Sequence, residues 1–186
     1  MQYYKLIYDY QNDIDAALIY IAEEKLKFDR YDVNKGQELK VKQIYCSEME
    51  GKNVYTDYIA NNLAWFVVSK GLKDMLLDFN IGDTEFIPLL KENTEEIVGY
   101  LVNIINVVDA IDLSKSLYKK ITYNKDGKEE TYNSIIKYAL VEKKIGERDL
   151  FRLDGYDTPI FISERLKKAI SKTKMTGCDF LKVKVS

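Results

Sequence analysis

Histidine is absent from this chain of 186 residues, and proline and cysteine are scarce, with two of each. Each shortage narrows the chemistry. Without histidine there is no Ser-His-Asp or Cys-His nucleophile pair. His-ligated zinc and an imidazole base near neutral pH are also gone. Carboxylates, lysine and tyrosine remain, so enzymes are disfavoured rather than excluded. Cys46 and Cys178 are too few and too far apart for a disulfide framework, and read as reduced thiols of a cytoplasmic protein. No apolar run approaches the ~20 residues of a membrane helix. Met1 to Tyr10 lacks the pattern of a signal peptide. Glycines are isolated, so no phosphate-binding loop is expected. Pro88 and Pro159 are the only prolines and no Gly/Ser-rich linker occurs, so residues 1–186 read as one domain.

What is present is 46% hydrophobic and 31% charged, the composition of a globular chain able to bury its own core. Net charge is -2, but unevenly spread. Residues 1–112 hold 11 basic and 20 acidic side chains, a net of -9; residues 113–186 hold 17 and 10, a net of +7. Such asymmetry fits an acidic face that meets a basic partner. Within 78–96, Asp78, Asp83, Glu85, Glu92, Glu95 and Glu96 are opposed only by Lys91. These six are the candidate partner-binding residues. The plainer reading is a solvated loop and helix end.

Alternating apolar residues predict strands at Tyr3–Tyr8, Val41–Tyr45 and Gly99–Ile105, with a helix over Asp15–Leu26. The run from Ala64 to Val68 predicts a strand. Ser69 is a good helix N-cap, followed by Leu72, Met75, Leu76 and Phe79 at helical spacing. Glu85–Leu89 then reads as a strand whose Pro88 suggests a sheet edge or strand end. The plan recurs near the C-terminus: a strand over Pro159–Ile162, Ser163 as N-cap, Leu166, Ala169 and Ile170 on a helix, and a strand over Asp179–Val183. Ser69 to Ser163, Leu72 to Leu166, Leu76 to Ile170 and Phe86 to Phe180 are each 94 residues apart. Two strand–Ser–helix–strand units thus share a register, by internal duplication or by coincidence. Leu150–Leu153 is one more strand, and Asp126-Gly127 between β-prone segments predicts a hairpin turn. The fold class expected is α+β, a largely antiparallel or mixed sheet with a few helices.

Other polar groups read as structural. Asp109, Asp112 and Ser114 could offer oxygens to a hard cation, but lack the glycine and closing Glu of an EF-hand and fit turn chemistry better. Ser69 and Ser163 have no nucleophile elbow. Trp65, Phe66, Phe151 and Phe161 read as core. The pairs Lys119-Lys120, Lys143-Lys144 and Lys167-Lys168 lack a reading helix, so nucleic acid is not an expected partner. No catalytic residue, metal site or cofactor is expected.

Seven ordered segments resemble one bacterial family: Trp65 to Leu72, Phe86-Ile87-Pro88, Gly99 to Asn103, Val108 to Ser116, Leu150 to Leu153, Ile160 to Leu166 and Thr176 to Phe180. The chain is similar over about residues 55–183 to the eleventh family of immunity proteins from polymorphic-toxin systems, formerly a domain of unknown function. Residues 1–54 read as an N-terminal extension of the same domain. Gly71 departs from the helix-favouring residue expected there. The resemblance implies non-catalytic, stoichiometric binding of a cognate toxin domain in the cytoplasm. The acidic excess would suit a basic toxin such as a nuclease. A regulatory interaction module and a carboxylate-dependent enzyme are the alternatives.

Overall fold

The computed structural model describes residues 1–12, 16–48 and 54–186. Along the chain, β1 (Tyr3–Tyr8) is followed by β2 (Leu18–Tyr20), β3 (Ile44–Glu48), β4 (Tyr58–Asn61) and β5 (Val67–Val68). Helix α1 (Lys70–Leu76) leads into the hairpin of β6 (Thr84–Lys91) and β7 (Ile97–Ile104). After β8 (Val107–Val108), β9 (Leu117–Lys125) and β10 (Lys128–Lys137) form a ribbon. Then come β11 (Ala139–Leu140), α2 (Glu142–Ile145), β12 (Leu150–Leu153), β13 (Tyr156–Ser163), α3 (Glu164–Lys172), β14 (Cys178–Lys182) and β15 (Lys184–Val185). The expected α+β class is what the chain adopts.

Two sheets dominate. One closes into a barrel in the order β2-β3-β6-β7-β5-β4, sealed by the parallel pairing of β2 with β4. The other is open, in the order β14-β1-β13-β12-β8. Both are built on the repeated unit. Each serine is extended, and its hydroxyl accepts from a helix N–H: Leu72 N to Ser69 Oγ at 3.1 Å, Leu166 N to Ser163 Oγ at 3.2 Å. These bonds satisfy a donor that the first helical turn otherwise leaves unpaired.

The strand order extends the likeness further than the sequence offsets do. β6-β7-β5-β4 in the barrel corresponds to β14-β1-β13-β12 in the open sheet. Val68 lies opposite Tyr100 and Phe86 opposite Val102; likewise Ile162 lies opposite Tyr4 and Phe180 opposite Leu6. So β1 completes the second unit as β7 completes the first, but from the other end of the chain. The second unit is a circular permutation of the first. One core joins them: Tyr58, Val68, Leu72, Leu76 and Val102 pack with their counterparts Leu150, Ile162, Leu166, Ile170 and Leu6. A second core, with Ile19, Ile59, Val67, Ile87 and Leu101, fills the barrel. A third, with Tyr3, Phe151, Phe161 and Val183, lies on the other face of the open sheet.

Some expectations need correction. Residues 16–26 carry no α-helix, while Asp15 lies outside the described residues. Ala17, Ile19 and Ile21 are buried and Tyr20 is exposed, the alternation of a strand. The strand expected over Val41–Tyr45 starts only at Ile44, and that from Ala64 only at Val67. Pro88 is not at a strand end, but it does sit on a stretch of β6 paired on one side only. It lies inside β6, paired with Tyr100, where the β3 pairing has not yet begun; that pairing starts at Leu89. Asp126-Gly127 does turn the β9–β10 hairpin, with φ of +52° and +80°.

Candidate interaction surface

The six acidic candidates do not form one patch. β6 separates them into two groups, and its eight residues span roughly 23 Å at about 3.3 Å per residue. Asp78, Asp83 and Glu85 lie at its start; Glu92, Glu95 and Glu96 lie in the turn beyond its end. Asp78 and Asp83 are exposed. Glu85 is half-buried, and its Oε2 accepts from the Leu39 amide at 3.0 Å and from Nδ2 of the fully buried Asn103 at 2.7 Å. That carboxylate holds the 37–39 segment against the barrel.

The turn group is the more concentrated one. Lys91 N donates to Glu96 O at 2.8 Å, and Asn93 and Glu95 take positive φ, +69° and +58°. The tight reversal presents Glu95 and Glu96 to solvent. Glu92 accepts from Lys25 Nζ at 2.5 Å, and that carboxylate raises the lysine's pKa. Glu48 joins the cluster through Lys91 at 2.7 Å and Tyr55 Oη at 2.8 Å; these two donors lower its pKa.

Sequence reading passed over a second surface, the β9–β10 ribbon. Ile121 faces Tyr132 across the strands, and the Tyr123 ring meets the Tyr132 ring edge-on at 5.8 Å. Leu117, Ile121, Tyr123, Tyr132 and Ile136 are all exposed. An isolated two-stranded ribbon is marginal in water, and here it carries apolar side chains into solvent. Between ribbon and body lies a cleft of about 810 Å³, lined in part by Tyr31, Tyr132, Tyr138 and Tyr156, with Lys5 beside them. The signal available in the sequence was its 15 tyrosines, whose amphipathic rings suit wet interfaces.

The remaining candidates are structural. Ser69 Oγ donates to Asp57 Oδ1 at 2.6 Å, and Ser163 Oγ donates to Asp149 Oδ1. Each hydroxyl is thus held between a carboxylate and the helix N–H that it caps. Asp112 accepts from Ser114 at 2.5 Å and from Ser186 at 3.1 Å, and Lys115 lies 3.3 Å away. The two hydroxyls lead in lowering its pKa to about 2. Asp109 pairs instead with Lys144 at 2.7 Å. The loop's carboxylates are thus engaged by its own Ser114 and Lys115 and by Lys144 and Ser186 from outside it, and no group of three metal-ligating side chains occurs among the described residues. Cys46 is buried, and burial pushes its thiol up to about 11; Cys178 is half-buried, and no disulfide joins them.

Two units sharing a core, with a charged turn and an apolar ribbon outside it, make up an α+β protein whose distinctive features lie on its surface. The model of an immunity protein family, Imm11, matches residues 6–185, and the chain belongs to that family. The match reaches well before residue 55, as the permuted architecture requires: β1 lies inside the second unit's sheet, between β14 and β13. No curated protein matches the chain. No described helix is long and apolar enough to cross a membrane.

Proposed function

We propose that the chain binds a cognate toxin domain one-to-one and neutralises it without catalysis, in the cytoplasm of the cell that makes both. The observation that carries this is the match to an immunity protein family over nearly the whole chain. Immunity by binding needs a rigid scaffold and a complementary surface, and no reacting group. The acidic turn of Glu92, Glu95 and Glu96 supports a toxin with a basic face, such as a nuclease. Asp78 and Asp83 add a second acidic site, and Glu85 supports the loop behind it. Exposed charges of one sign speed encounter with a partner of the other sign, in a salt-dependent way.

The test is direct titration with the C-terminal toxin domain of a large secreted protein encoded beside this chain. One-to-one binding that abolishes toxicity is expected. No binding at micromolar concentration would overturn the reading. Neutralising the exposed Asp78, Asp83, Glu95 and Glu96 together should slow association about tenfold or more at low salt. An unchanged rate and unchanged protection would remove the acidic residues from the interface.

A further inference from the structure

Beside the acidic turn the barrel carries a pocket of opposite charge. Its volume is about 460 Å³, within the range of small-ligand sites. The floor is apolar: Leu26, Phe28, Val41 and Ile44 line it, and all four belong to or pack against the barrel core. Phe28 is held by stacking on Trp65 at 5.9 Å. The rim is cationic. Lys25, Lys27, Lys40 and Lys42 line the pocket, and no carboxylate does among the described residues. These are four of only 11 basic side chains in a region that holds 20 acidic ones. All four are exposed. Lys25 is tied to Glu92, while no ion pair links Lys27, Lys40 or Lys42 to a described acid.

The rim is built rather than incidental. Glu85 and Asn103 fix the chain just before it: Leu39 N donates to Glu85, and Asn103 Nδ2 donates to Gln37 O at 2.8 Å. Lys40 then turns the corner at φ +54°, a left-handed conformation that costs a non-glycine residue about 1 kcal/mol. That corner leads into Val41–Tyr45, the wall of the pocket. The wall continues into β3, whose Cys46 carbonyl accepts from Glu92 N at 2.9 Å. The basic pocket and the acidic turn are therefore adjoining parts of one surface.

We propose that this pocket anchors the toxin by receiving an apolar side chain flanked by carboxylates. The acidic turn beside it meets a basic patch on the same toxin. The inference rests on the immunity reading and adds the partner's chemistry. A surface with both signs fixes orientation, because a rotated partner would set like charges together. An apolar anchor in a desolvated pocket governs dissociation, whereas exposed charges govern association.

The pocket can be tested apart from the toxin. The full chain is titrated with 2-naphthoate and, separately, with neutral 2-naphthylmethanol, following the backbone amides of Phe28, Val41 and Ile44 by NMR. The carboxylate should shift these amides and bind about tenfold or more tightly than the alcohol. The double variant Lys27→Glu/Lys42→Glu should lose that binding, and should speed toxin dissociation about tenfold or more. Lys40→Gly removes a charge while easing the backbone, so it should weaken naphthoate without lowering thermal stability. Naphthoate shifts elsewhere, or equal binding of the alcohol, would overturn the pocket. A double variant that loses naphthoate but holds the toxin as tightly as wild type would overturn the anchor. Failure of the wild-type chain to bind the toxin would overturn the immunity reading, and the anchor with it; the naphthoate arm would still decide whether the pocket accepts an apolar anion.

Discussion

Leu101 and Lys5 hold equivalent places in the two units. Each lies in a strand paired on both sides, Leu101 between Val67 and Ile87, Lys5 between Phe161 and Leu181. Their surroundings differ because the units are finished differently. Around Leu101, β2 and β3 close the sheet into a barrel, so Leu101 is 0% and Ile87 3% exposed. Around Lys5 the sheet stays open, and Leu181, the counterpart of Ile87, is 50% exposed. Lys5 is itself half-buried; desolvation lowers its pKa, and its ammonium sits 5.8 Å from the Tyr138 ring centroid. A lysine is tolerated there because its head reaches the cleft while its stem covers apolar surface. The shared unit supplies the pairing, and the added strands decide which face stays dry.

The largest effect should come from exchanging these residues. Leu101→Lys places an uncompensated charge inside a closed barrel and should cost about 4 kcal/mol or more, or unfold the chain. Lys5→Leu should change stability by less than about 1 kcal/mol. Urea unfolding measures both, and equal costs would mean that barrel closure does not set the difference.

The serine caps offer the next comparison. Ser163 and Ser69 each donate a hydroxyl to an aspartate whose backbone carbonyl accepts the serine's own N–H. Each aspartate's second oxygen then accepts from an amide just past the other unit's helix: Thr176 N for Asp57 and Asn80 N for Asp149. The two motifs thus clasp each other across the shared core. Asp149 is fully buried and also receives two bonds from the Arg165 guanidinium; Asp57 is half-exposed and has no such partner. Asp149→Ala should cost about 3 kcal/mol and Asp57→Ala about 1 kcal/mol, measured by thermal unfolding. Similar losses would show that the arginine adds little.

The missing guanidinium has a visible cause, since Gly71 stands 94 residues before Arg165. A Cβ at Gly71 would lie 3.9 Å from Asp57 Oδ1 and meet only ordinary contacts. Gly71→Arg should therefore stabilise by about 1 kcal/mol, from helix preference plus a new pair with Asp57. If Gly71→Ala gains as much, the pair contributes nothing. The smallest effect concerns two equivalent lysines on the helices. Lys73 lies 4.1 Å from the Tyr100 ring centroid and 5.9 Å from Phe86; Lys167 lies 4.6 Å from Tyr4 and 5.7 Å from Phe180. Either lysine changed to alanine should cost about 0.5 kcal/mol. Unequal costs would show that the resemblance stops at the backbone.

Much of this is local and therefore legible in the sequence. A serine cap, a helical stripe and an Asp-Gly turn are set by neighbours within a few residues, so Ser69, Ser163, Leu72, Leu166 and Asp126-Gly127 could be read directly. The 94-residue register showed two units because each is contiguous up to its last strand. That β1 completes the second unit was not readable: Leu6 and Phe180 lie 174 positions apart, and strand pairing leaves no mark at that separation. The acidic residues were visible, but not their division between the two ends of β6. The basic pocket was hidden for the same reason, because its lysines come from two segments, 25–27 and 40–42, joined by the folding of a loop onto Glu85 and Asn103.

The sequence by itself determined the units, their caps and which strands were apolar, since each depends on local backbone chemistry and the period of side chains. Only the tertiary structure decided that one unit closes into a barrel while the other stays open. It also decided which charges stand side by side, because closure and adjacency arise from contacts between segments far apart in the chain.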